Sequence, residues 1–224
     1  MKYRMDLIEQ EWVACIKPEQ FLQPLRFAAS DRKLRLFACA CCHRVWDRFR
    51  GDQRHIIILS ERVAEGHLGR SELMTALCSR IGYAHRRWAR EGGNPLVGAV
   101  VATTQCPAVE GAIETAEAVA SAVFRDRGGS LPARDSEKSA QAELLREIVG
   151  NPFRPSHFSP RWRTANTVDL ARTIYQEKAF DRMPILADAL MDAGCADECI
   201  LDHCRSPESH VRGCWVVDLI LGRS

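Results

Sequence analysis

SDRKLRLFACACCHRVWDRFRG, running from Ser30 to Gly51, decides the fold class. Leu34, Phe37, Cys41, Val45 and Phe49 recur every three or four residues, the period of a helix that buries one stripe. Ser30 followed by Asp31 offers an N-cap, and Gly51 after Arg50 offers a stop. On the C-terminal side the same period continues, giving a helix over 52–67 and another over 71–90. EGGNPLVG at 91–98 reads as a loop, because Asn-Pro follows paired glycines. Pro107 to Phe124 is rich in Ala and Glu and reads as a helix with Pro at its start. RDRGGSLPARD reads as a flexible connector. A helix over 136–149 then stops at Gly150. The remainder, 164–221, reads as three or four short helices broken near Lys178, Gly194 and Pro207. No alternating strand and no internal repeat stands out. The chain is therefore expected to be all-α, a multi-helix bundle of roughly nine or ten helices in two sub-bundles.

Composition narrows the class further. With 46% apolar and 27% charged residues, the 224-residue chain has the make-up of a globular protein. No stretch approaches the roughly 18 consecutive apolar residues of a membrane span. MKYRMDLIEQEW has acidic residues and a Trp where a secretory signal needs an apolar run, so a cytoplasmic location without membrane contact is expected. The ten cysteines are accordingly read as reduced or metal-bound. The net charge of +2 hides an asymmetry: 26–90 holds 14 Arg and Lys against 6 Asp and Glu, and 164–204 holds 3 against 8. The expected organisation is a basic helical region at 1–125, a connector at 126–136 and an acidic helical region at 137–224. The basic charge is read first as solvated or internally paired.

Two cysteine and histidine clusters carry what chemistry there is. Cys199, His203, His210 and Cys214 form Cys-x3-His, a six-residue gap and His-x3-Cys. Residues four apart share a helix face, so two helices folded back at Ser206 and Pro207 would offer four ligands for a structural zinc. Cys195 and Cys204 are substitute ligands. The plainer reading has the cysteines filling core gaps and the histidines bonded to carbonyls. It is preferred, because the gap matches no standard finger. In the second cluster, Cys39, Cys41, Cys42 and His43 with Cys15 upstream, adjacent residues diverge by about 100° on a helix and suit packing better than one metal. Arg44, Arg48, Arg86 and Arg87, with Trp88 between Arg87 and Arg90, are the candidate nucleic-acid contacts, since guanidinium forks bind phosphate and Trp stacks on bases. Phosphate loops, dinucleotide fingerprints, His-Glu-x-x-His and Gly-x-Ser-x-Gly are absent.

ASDRKLRLFACACCHRVW, NPFRP, AFDRMPILADALMDAGC and HCRSPESHVRGCWVVDLILG, in this order, resemble a family of uncharacterised bacterial proteins. The resemblance covers both ends and the middle of the chain and is weakest over 66–140. It implies no activity, substrate or cofactor and transfers no catalytic residue.

The expected function is non-enzymatic: a helical scaffold, adaptor or regulatory subunit with a protein partner. A nucleic-acid or nucleoprotein-complex subunit is the first alternative. A thiol-dependent enzyme built around Cys42 is the second, weakened because Cys42 and His43 diverge on a helix. No cofactor beyond a structural zinc is expected, and the oligomeric state is left open.

Overall fold

The computed structural model describes residues 9–81 and 93–223. Among these residues there is no strand, and they form twelve α-helices rather than nine or ten. They are α1 (over 9–14), α2 (Glu19–Leu25), α3 (Asp31–His43), α4 (Gly51–Ala64), α5 (Arg70–Arg80), α6 (Pro95–Thr103), α7 (Ala108–Asp126), α8 (Leu131–Val149), α9 (Ala165–Glu177), α10 (Met183–Asp192), α11 (Glu198–Arg205) and α12 (Trp215–Leu221). None is long and apolar enough to cross a membrane.

The chain divides into two compact units, residues 10–145 and residues 146–224 together with 1–9. The connector expected at 126–136 is mostly helix. α7 runs to Asp126, and after the turn at 127–130 the Ser130 hydroxyl accepts from the Ala133 amide, opening α8 at Leu131. The division falls inside α8, between Leu145 and Arg146.

In the unit over 10–145, α3 is buried along nearly its whole length, from Leu34 to Cys42. It packs against α4, α6 and α7. The Ser30 hydroxyl caps it by accepting from the Lys33 amide at 3.3 Å. The helix ends at His43, earlier than the apolar stripe suggests. Val45 and Phe49 still reach the core, through a 3-10 turn over Trp46–Arg48. Gly51 is a start, not a stop: the Arg50 amide donates to Gln53 Oε1 at 2.9 Å and α4 begins there. The Asn-Pro stretch read as loop opens α6, because Asn94 accepts from the amides of Leu96 and Val97 and Pro95 takes the first helical position. Buried Arg35 donates to the carbonyls of Thr103 and Gln105 at the end of α6, at 2.6 and 3.0 Å.

The unit over 146–224 is centred on α9 to α12, with Ile174, Met183, Leu186, Leu190, Ile200 and Val217 in its core. Thr164 caps α9 by accepting from Thr167, and Asp197 caps α11 by accepting from Ile200. Lys178 closes α9 in the left-handed conformation. Asn151 accepts from the amides of Phe153 and Arg154, giving the NPFRP segment its turn. Phe158 and Trp162, half-buried, meet edge to face at 5.4 Å and pack on the core. Arg163 donates to the carbonyls of Leu219 and Ile220, satisfying the end of α12.

Candidate metal centre

Four side chains of the C-terminal unit converge on one point. The last turn of α8 brings Glu147, α11 brings His203, the segment before α12 brings His210, and Cys214 heads α12. Each offers one donor atom, and all four donors lie within 4.8 Å of one another. Among the described residues this is the one such group of three or more His, Cys, Asp or Glu side chains.

Local sequence explains how each side chain gets there. Ile200, Leu201 and Cys204 bury α11 in the core, and His203 follows Ile200 by three residues on the same side. His210 lies in the stretch after Ser206 and Pro207, where the Val211 amide donates to Glu147 Oε1 at 3.4 Å. The turn from Val211 to Cys214 closes with a 3.0 Å bond between Cys214 N and Val211 O. Gly150 holds the end of α8 at φ 75°, and a Cβ there would lie 3.1 Å from Trp215 Cγ. Trp215 in turn lies 5.0 Å from the His203 ring, and the His203 and His210 rings are 4.9 Å apart.

His203 Nε2 lies 3.1 Å from Glu147 Oε2 and 3.3 Å from Cys214 Sγ. His210 Nδ1 lies 3.2 and 3.3 Å from the two Glu147 oxygens. The side chains are 17% (His203), 8% (Glu147) and 5% (His210) exposed, and Cys214 is fully buried, so the group is largely shielded from solvent. Burial pushes the Glu147 carboxyl up, but hydrogen bonds from His203 and His210 and their charges outweigh it and hold it below the usual range. Burial, and then the Glu147 charge, push the Cys214 thiol well up. The centre is a buried carboxylate facing two imidazole rings and a thiol. A divalent cation would turn the thiol into a thiolate ligand.

Three of the four residues singled out by spacing, His203, His210 and Cys214, meet here. Cys199 does not: it is exposed, in the first turn of α11, and outside the group. Cys195 and Cys204 are buried, also outside it, with Cys204 pushed up to about 12 by burial and by Glu147. Glu147 lies outside the cysteine and histidine spacing, and only 8% of it is exposed. The available signal was its position three residues after Leu144 and beside Ile148, both buried.

The N-terminal cysteines form no comparable group. Cys39, Cys41 and Cys42 are core residues whose thiols burial pushes up. Cys39 Sγ donates to the Ile57 carbonyl, and the Cys15 thiol donates to the Lys17 carbonyl. His43 Nε2 meets Glu61 at 2.5 Å, and its ring stacks on Trp46. Arg44 makes a two-pronged contact with Glu137 and Arg48 pairs with Asp126 at 3.0 Å, while Arg86, Arg87 and Trp88 lie outside the described residues.

Comparison of the chain with protein-family models, curated proteins and solved structures gives no match.

Proposed function

We propose that the chain is a non-enzymatic helical scaffold or adaptor that binds a protein partner. The observation that supports this reading is a groove of about 670 Å³ along α6 and α7. Val101, Ile113 and Ala118 give it apolar walls, and Glu114, Glu117 and Arg125 line it with charge. An apolar trough with charged margins suits the amphipathic helix of a partner. Thiol catalysis has less support, since a reactive thiol needs a lowered pKa and burial drives the Cys39, Cys41, Cys42, Cys204 and Cys214 thiols the other way. Nucleic-acid binding through the basic stretch would draw on Arg44 and Arg48, both of which already hold carboxylates.

Affinity capture with the full chain and with Ala118→Arg in parallel tests the proposal. A protein retained by the wild type and lost by the variant, at unchanged melting temperature, supports it. Equal capture by both, or none by either, removes it. Retention of DNA or RNA at low salt, lost steeply as salt rises and weakened by Arg48→Ala, would favour the nucleic-acid reading instead.

A further inference from the structure

We propose that Glu147, His203, His210 and Cys214 bind one zinc ion in a closed structural site, with Glu147 in the position that spacing assigns to Cys199. The donor set comes first: two imidazole nitrogens, one carboxylate oxygen and one sulfur are the ligands of tetrahedral zinc. Zinc bound at about 2.0–2.3 Å by such donors separates them by roughly 3.3–3.6 Å along the edges of the tetrahedron. The contacts that link the four side chains, 3.1 to 3.3 Å, run from just below that range to its lower edge, and all four donors lie within 4.8 Å of one another.

His203 Nε2 faces both the Glu147 carboxylate at 3.1 Å and the Cys214 sulfur at 3.3 Å. A cation at the common point takes a lone pair from each side chain. Its charge also balances: the Glu147 carboxylate and the Cys214 thiolate together cancel a dication, so that the buried complex is neutral overall. On binding, the Cys214 thiol proton, and any proton on the two coordinating nitrogens, leaves to solvent. All four positions are filled by protein, which leaves none for an activated water. The ion therefore ties the end of α8 to α11 and to the start of α12, and this role is independent of what the groove binds.

The test uses the full chain purified without chelator, with metal measured by elemental mass spectrometry. About one zinc per chain is expected in the wild type and in Cys199→Ala. Glu147→Gln and Cys214→Ser should each lose affinity by more than the roughly 10–100-fold that an outer-shell partner costs. Cobalt(II) added to the metal-free wild type should give the intense visible bands of a tetrahedral ion and a sulfur-to-cobalt charge-transfer band. That measurement stands even if a ligand variant fails to fold. A wild type that carries no zinc and takes up no cobalt in this form overturns the proposal. So does zinc kept by both ligand variants, or zinc lost in Cys199→Ala.

Discussion

A carboxylate buried to 8% exposure needs partners, and Glu147 has two imidazoles within 3.3 Å. Sequence spacing finds His203, His210 and Cys214 because they follow one another at short intervals, whereas Glu147 arrives from a distant helix. Leu144 and Ile148 of the same helix are buried, as Glu147 is, and the fourth donor is a tertiary property. The N-terminal unit has its own charge centre. Lys138, 12% exposed, meets Glu19 at 2.7 Å and Glu117 at 3.1 Å. Burial raises the Glu19 carboxyl, but the hydrogen bond and charge of Lys138 outweigh it, so the folded value lies below the ordinary one. The stability this pair contributes is present above the unfolded carboxylate value and is lost as pH falls through the lower folded value. Glu19→Gln should thus cost under about 1 kcal/mol near neutral pH, the scale of partly exposed pairs. The loss should shrink toward zero in acid, as read by urea unfolding across pH.

At the scale of elements, the helices were legible wherever a cap or stop stood beside an apolar period. Ser30 opens α3, and Lys178 and Gly194 part the C-terminal helices where the sequence placed breaks. Two errors share a cause: punctuation residues have two sides. Asn-Pro at 94–95 was taken to end structure and instead begins α6, and Gly51 was taken to end α3 and instead opens α4. Stops and starts use overlapping chemistry, and the neighbouring hydrogen bonds decide between them. Gly150 and Gly194 separate conformation from contact. Both have left-handed backbones, at φ 75° and 83°, but only Gly150 has a ring where a Cβ would stand, the Trp215 side chain. Gly194→Ala should cost about 1–2 kcal/mol from backbone strain alone. Gly150→Ala should cost about 1 kcal/mol more or beyond, because Trp215 must shift. Thermal unfolding of the two variants beside the wild type checks the difference, and equal costs would mean that Trp215 yields freely.

Across the described residues, part of the basic charge of the sequence is paired locally. Arg32 holds Glu65, Arg44 holds Glu137 and Arg48 holds Asp126, all within residues 10–145. A count of charges along the chain cannot anticipate two of these pairs, because Asp126 in α7 and Glu137 in α8 lie outside the basic stretch, whereas Glu65 at the end of α4 lies inside it. The division into two compact units falls within α8, where the helix continues unbroken. A zinc ion added to this chain has ten cysteines and seven histidines to choose from. X-ray absorption at the zinc edge of the intact protein reports the choice directly. The site at Glu147, His203, His210 and Cys214 requires one sulfur at about 2.3 Å and three nitrogen or oxygen neighbours at about 2.0–2.1 Å. A shell with two or more sulfurs, or with none, would contradict it.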